Sequence, residues 1–91
     1  MSHTTREKTK LLNRVRRIRG QMEAIERALE EEKGCSHVLQ LIAGARGAIS
    51  GLMAEVLEDH VLKHVADGAL KQPARAEGAA ELIDIMRTYL K

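Results

Sequence analysis

Apolar residues recur along the first third of the chain at alternating intervals of four and three positions. The series comprises Leu11, Val15, Ile18, Met22, Ile25 and Leu29. This heptad-like spacing lines one face of a helix, and it predicts helix 1 from about Thr5 to Glu32. Gly34 follows a run of charged residues, so we expect it to cap this helix and the chain to turn there.

A second series with the same spacing predicts a second long helix from about Ser36 to Asp67. Its members are Val38, Ile42, Ala45, Ile49, Leu52 and Val56. Small residues crowd the middle of this helix, between Ala43 and Gly51. They lower helix propensity but allow another helix to approach closely.

Gly68 and the only proline, Pro73, mark a break that we place over residues 67–76. A short third helix is predicted beyond it by Ala79, Leu82, Ile83, Met86 and Leu90. The fold class is therefore all-α: a three-helix protomer with two long antiparallel helices and a short third. Because apolar residues lie on more than one side of the hairpin, we expect an antiparallel dimer and a dimer of dimers.

Composition strengthens the expectation of self-association. The 91 residues include no Trp, no Phe and one Tyr, so little area is available for a core. We expect one domain, residues 1–91, without a signal peptide or membrane contact. The single cysteine cannot form an internal disulfide, which favours a cytoplasmic location.

Charge is concentrated at the amino-terminal end, where residues 1–19 carry seven basic side chains and one acidic one. On a helical wheel, four of the basic residues share one flank that has no acidic compensation: Arg6, Lys10, Arg14 and Arg17. Arg19, on the other flank, has Glu23 one turn later as an ion-pair partner. A basic flank is often only solvated, but here Arg14 and Arg17 are expected to contact DNA phosphates or base edges, and Lys10 and Arg6 to add nonspecific attraction. Arg46 is expected as a further contact.

His60 and His64 are four residues apart, so on a helix their imidazoles point the same way, as a two-histidine metal clamp requires. The alternative is an ordinary surface pair. Cys35 lies 25 residues before His60, roughly 37 Å along a helix. One chain cannot bring them together, whereas two antiparallel copies of helix 2 place Cys35 of one protomer beside the histidines of the other.

His3 and the amine of Ser2, exposed by removal of Met1, extend this candidate set. A terminal histidine is usually only solvated, and His37 is expected to lie off the site. Three imidazoles, a thiolate and an amine suit Ni(II), Co(II) or Zn(II) better than Mg(II) or Ca(II). An incidental, structural Cys35 is the alternative.

Several segments make the chain resemble the CsoR/RcnR family of small helical bacterial repressors over nearly its whole length. These segments are residues 14–21, Cys35, residues 40–48, residues 51–53, His60 and residues 89–91. The resemblance implies a dimer of dimers that binds operator DNA when free of effector. It also implies release by a metal or, in one branch, by formaldehyde, with an efflux gene under control.

The branch of the family depends on few positions. Copper sensors have a second cysteine where this chain has His64, and the formaldehyde branch has a proline after the initiator methionine, where this chain has Ser2. The nickel/cobalt branch resembles this chain at His3, Cys35, His60 and His64. Gly34 and Lys63 depart from it, because acidic neighbours of the ligands can occur there in that branch.

Other function classes and effectors stay open. An enzyme with Cys35 as nucleophile needs a substrate pocket, and no glycine-rich phosphate loop is present, so we expect no enzyme. A purely structural helical module predicts that Cys35, His60 and His64 can all be replaced without loss of a ligand response. Formaldehyde, acting at Cys35, and zinc are the alternative effectors.

Overall fold

The computed structural model describes residues 5–90, with side chains from Glu7 onward. Three α-helices follow one another: α1 spans Thr5–Glu30, α2 spans Cys35–His64 and α3 spans Gln72–Tyr89. No strand occurs among the described residues, and the all-α, three-helix prediction is confirmed. The chain forms two compact units that divide inside α2, between Met53 and Ala54.

The end of α1 lies two residues before the predicted position, and Glu32 caps it. Glu32 has a positive φ of 54°, the left-handed conformation. The Lys33 N–H donates to the Ala28 carbonyl at 3.0 Å and the Glu32 N–H donates to the Leu29 carbonyl at 3.2 Å. This pair of bonds is a Schellman motif, which satisfies carbonyls that the last helical turn leaves open.

Gly34 has a different role from the predicted one. With φ 97° it occupies a conformation that glycine adopts without strain. Its carbonyl accepts the Val38 N–H at 3.2 Å, so Gly34 precedes and opens α2 instead of closing α1. The prediction of Gly34 as the C-terminal cap of helix 1 was wrong because a non-glycine residue, Glu32, adopts the left-handed conformation first.

Alternate residues of the apolar stripe of α1 differ in how far they are buried. Leu11, Ile18 and Ile25 are half-buried. The alternate members Val15, Met22 and Leu29 keep 43%, 51% and 61% of their surface exposed. One edge of the stripe therefore packs within the protomer, and the other edge is left uncovered.

The stripe of α2 is divided in the same way. Val38 and Leu52 are half-buried, whereas Ile42, Ile49 and Val56 are exposed. Among the described residues the only buried hydrophobic side chains are Ala28 and Ala45. The residues that the structure describes thus bury only two methyl groups, both in the first compact unit, and leave the larger aliphatic side chains partly covered.

The connection between α2 and α3 covers residues 65–71 and is organised by Asp67. Its side-chain Oδ1 accepts the Ala69 N–H at 2.9 Å. Its backbone carbonyl accepts the Leu70 N–H at 3.1 Å and a guanidinium N–H of Arg75 at 3.1 Å. Helix 2 was predicted to reach Asp67, but α2 ends at His64 because Asp67 belongs to this turn.

Pro73 does not interrupt the chain where the sequence indicated. It lies in the first turn of α3, where the missing N–H has no intrahelical partner to lose. The predicted break over residues 67–76 was therefore placed too late, and α3 extends over 18 residues.

Candidate metal and DNA-binding residues

His60 and His64 lie on the last two turns of α2, within the second compact unit. Their ring centroids are 4.9 Å apart and the ring planes are tilted by 38°. His60 is half-buried and His64 is exposed. Two imidazoles at this separation can direct one nitrogen each toward a common ion, as metal–nitrogen bonds of about 2 Å require.

The orientation of the His60 ring is fixed by α3. Its Nε2 lies 2.9 Å from the backbone carbonyl oxygen of Gly78. A carbonyl oxygen only accepts, so Nε2 carries the hydrogen and donates, and in the neutral ring Nδ1 then has the free lone pair. Nδ1 is thus the ring atom of His60 with which a metal can be coordinated, and the Gly78 carbonyl holds the ring as outer partners of metal-binding histidines commonly do.

Gly78 also sets how closely α3 approaches the end of α2. A Cβ on Gly78 would lie 2.8 Å from the His64 carbonyl carbon, 3.0 Å from His64 Cβ and closer still to the His64 carbonyl oxygen. Only a residue without a side chain fits there. The same residue therefore contacts the backbone of one predicted ligand and hydrogen-bonds the ring of the other.

Cys35 is the first residue of α2, and its thiol is free and exposed. It lies in the wall of an apolar groove of about 410 Å³ at the end of the hairpin. The other apolar side chains of this groove are Ala28, Leu29, Val38 and Leu39. His37 is exposed two residues further on.

The predicted ligands are not all brought together in one protomer. Over residues 5–90, no three His, Cys, Asp or Glu side chains form a group that could hold a metal ion. His60 and His64 form a pair, whereas Cys35 begins the same helix that His64 ends. His3 and Ser2 lie outside the described residues.

Three of the predicted DNA contacts have exposed side chains: Lys10, Arg17 and Arg46. The side chain of Arg6 lies outside the described residues. Arg14 differs from its neighbours because it is half-buried. Its Nη1 would lie 2.9 Å from a Cβ on Gly51 of α2, so the guanidinium occupies the space that this glycine leaves.

Comparison with known proteins places this arrangement in a family. The model of the metal-sensitive transcriptional repressors matches residues 7–88. The chain belongs to this CsoR/RcnR family.

Relatives of the family align over nearly the full chain. An uncharacterized protein in the bioA 5′ region of Serratia marcescens is 53% identical over all 91 residues of both chains. The transcriptional repressor RcnR of Salmonella paratyphi B is 38% identical, again over both whole chains. A solved structure of a glutamate-to-histidine variant of FrmR, the formaldehyde-responsive regulator of Salmonella enterica serovar Typhimurium, superposes with a TM-score of 0.88. It is 45% identical and covers 97% of this chain and 99% of its own.

Membership of the CsoR/RcnR family confirms the coarse function that the sequence predicted. Its members are transcriptional repressors, which are not enzymes, and the family implies DNA binding, oligomerisation and a metal effector. None of the three helices, as far as the structure describes them, is long and apolar enough to cross a membrane.

Sequence reasoning did not assign Gly51 or Gly78 to a candidate site, although Gly51 was among the small residues expected to let another helix approach closely. Both are glycines inside helices, where each costs about 1 kcal/mol of helix propensity relative to alanine. That cost was the available signal, because an isolated glycine in a helical pattern often marks close approach of another group. The spacing of the surrounding residues does not tell which group approaches.

Proposed function

We propose that this protein represses transcription by binding operator DNA in its metal-free form, and that Ni(II) or Co(II) releases it and induces a metal efflux gene. The whole chain, residues 1–91, would act as one domain, in the cytoplasm where the DNA is. The observation that carries the proposal is the His60–His64 pair, with ring centroids 4.9 Å apart and the His60 ring held by Gly78. RcnR, a transcriptional repressor that is 38% identical, adds support for repression. The nickel/cobalt assignment rests on the resemblance to that branch at His3, Cys35, His60 and His64.

The proposed site takes ligands from two protomers. His60 and His64 of one protomer, Cys35 of another, and His3 with the Ser2 amine would hold the ion, which supplies positive charge and coordination bonds between chains. Three imidazoles, an amine and a thiolate form a donor set of the kind that borderline metals prefer. Cys35 is exposed at the start of α2 and the histidine pair lies at its end, so a two-fold antiparallel pairing of α2 completes the set twice.

The proposed assembly is a homodimer and then a homotetramer. The exposed edge of α1 and the exposed row of α2 repeat every seven residues: Val15, Met22 and Leu29, then Ile42, Ile49 and Val56. Such rows are covered by helices that pack nearly parallel or antiparallel. With only Ala28 and Ala45 buried as hydrophobic core residues in the described protomer, a second copy provides the missing burial.

The proposed switch links the two sites. Five basic residues would contact the DNA backbone: Lys10, Arg14, Arg17, Arg6 and Arg46. Metal binding would shift α1 relative to α2 of a neighbouring protomer. A metal that favours the DNA-free form must bind the DNA-bound form more weakly by the same factor. This reciprocity is a measurable requirement of the proposal.

An anaerobic Co(II) titration of the reduced protein tests the site. We expect a thiolate-to-cobalt charge-transfer band that saturates at equimolar Co(II) and protomer and is lost in Cys35→Ala. His64→Leu should lose the metal response and keep DNA binding, whereas His37→Gln, at an exposed histidine near Cys35, serves as the matched control. A band that persists in Cys35→Ala would exclude the thiolate from the site. Release of the protein from DNA by Zn(II) but not by Co(II) or Ni(II) would instead indicate a zinc sensor, since Zn(II) affinity alone generally exceeds that of Co(II).

Formaldehyde is the second candidate effector, because the FrmR variant is 45% identical and Cys35 is an exposed thiol. The Cys35 S–H and an amine N–H would condense with formaldehyde to an S–CH2–N bridge, with one water released. Mass spectrometry should then show the addition of a single carbon to protein that had been stripped of metal. If formaldehyde neither adds to the protein nor releases it from DNA, metal is left as the effector.

A further inference from the structure

Arg14 has surroundings that no other described arginine of α1 is shown to have. It is half-buried, whereas Arg16, Arg17, Arg19 and Arg27 are exposed. The position of a Cβ on Gly51 is 2.9 Å from Arg14 Nη1 and 3.9 Å from Arg14 Cζ. The guanidinium thus lies directly over the backbone of α2 at Gly51, inside the first compact unit.

Gly51 is distinguished from the other glycines of α1 and α2 by this contact. A Cβ on Gly20, Gly44 or Gly47 would have nothing within 4 Å. Within the described protomer, only Gly51 of these four gives its space to a side chain of the other helix. A glycine inside a helix lowers the propensity of that segment to be helical. At Gly51 the absence of a side chain leaves room for the guanidinium of Arg14.

We infer that Gly51 is a positioning residue for Arg14, so that the orientation of this DNA-contacting guanidinium depends on how α1 packs against α2. This inference rests on the proposed function, in which Arg14 contacts the operator backbone. A cation held against a second helix presents its N–H groups in a restricted set of directions, which lowers the entropy lost when it binds a phosphate. Any sliding of α1 along α2 would carry the guanidinium away from Gly51.

Gly51→Ala separates this role from folding. The new methyl group meets the far end of a flexible side chain, so the helices keep their packing and the guanidinium moves. The probe is a labelled duplex selected from a random library by the wild-type protein in the presence of chelator. Affinities of wild type, Gly51→Ala, Arg14→Ala and the double variant are measured across a salt series, with Gly47→Ala as the matched control.

We expect Gly51→Ala to weaken binding about fivefold and to lower the salt slope by about 1, as the loss of one phosphate contact does. In the Arg14→Ala background the same change should have no effect, whereas circular dichroism and Co(II) stoichiometry should match the wild type. Gly47→Ala should bind DNA normally.

The results that would overturn the positioning role of Gly51 differ from the result that would overturn the proposed repressor function. If no duplex is selected, the proposed repressor function fails and the role of Gly51 with it. If Arg14→Ala binds like wild type, or if Gly51→Ala does so while Arg14→Ala is weak, the positioning role is wrong and the repressor function stands. Additive losses in the double variant would also overturn it, because independent sites add.

Discussion

Replacing Gly78 by alanine places a methyl group against the last turn of α2. The new Cβ would lie 2.8 Å from the His64 carbonyl carbon and 3.0 Å from His64 Cβ. Ordinary contacts between carbon atoms are about 3.5 to 4.0 Å. Because the obstacle includes backbone, no change of rotamer relieves it, and α3 must move away by roughly 1 Å.

Gly78→Ala has one stabilising effect, a higher helix propensity, and two destabilising ones, a steric clash and a lost hydrogen bond. The steric clash is the largest of the three. Alanine gains about 1 kcal/mol over glycine in a helix. Overpacking costs about 1–3 kcal/mol, and we expect the upper end because backbone is involved. Movement of α3 also breaks the hydrogen bond from His60 Nε2 to the Gly78 carbonyl, worth about 1 kcal/mol. The net loss in the free energy of unfolding is therefore about 2–3 kcal/mol.

Urea unfolding followed by far-ultraviolet circular dichroism measures this loss, at one fixed protomer concentration because association contributes to stability. Gly20→Ala is the matched control, since a Cβ there meets nothing within 4 Å, and it should gain about 1 kcal/mol. Co(II) affinity of Gly78→Ala should fall roughly 10-fold to 100-fold, because His60 loses the partner that orients it. A variant that is as stable as Gly20→Ala would refute the close approach of α3.

Three further predictions follow from other parts of the chain. Glu32→Gly should raise the free energy of unfolding by about 1 kcal/mol, since Glu32 holds the left-handed conformation at φ 54°, and urea unfolding checks it. Asp67→Ala should lower the same quantity by about 1 kcal/mol through loss of the bond to the Ala69 N–H, whereas Glu58→Ala, at an exposed position, should change it little. Arg17→Ala should reduce the salt slope of operator binding by about 1 without changing Co(II) stoichiometry, and an unchanged slope would remove Arg17 from the DNA interface.

The helices could be predicted from the spacing of the apolar residues, because alternating intervals of three and four positions match the repeat of an α-helix and not that of a strand. The same pattern could not tell which edge of each stripe packs inside the protomer. Leu11 and Val15 are equally apolar, yet Leu11 is half-buried and Val15 is 43% exposed. That choice depends on the rotation of α1 about its axis, which is set by contacts such as Arg14 with Gly51 and not by local sequence.

The turns were predicted less accurately than the helices. Gly34 and Pro73 are strong markers of a change in direction, but each is compatible with either side of a helix end. Pro73 begins α3 and Gly34 opens α2, so both were assigned to the wrong side. At the candidate metal site, the shared face of His60 and His64 follows from their spacing, whereas the bond to Gly78 required the position of α3. The ligation itself stays a prediction.

Because the hydrophobic core of the described protomer consists of Ala28 and Ala45, the phenotype of a mutation should depend on how strongly the gene is expressed. In an ordinary domain, trimming a large aliphatic side chain leaves an internal cavity, and the damage is the same at every expression level. Here several large aliphatic side chains, such as Met22 and Ile49, are exposed, so trimming one of them should change the dissociation constant of the assembly instead. Such a defect is masked when the gene is highly expressed and revealed when few copies are made. The phenotype of a substitution at Met22 or Ile49 should therefore vary with gene dosage.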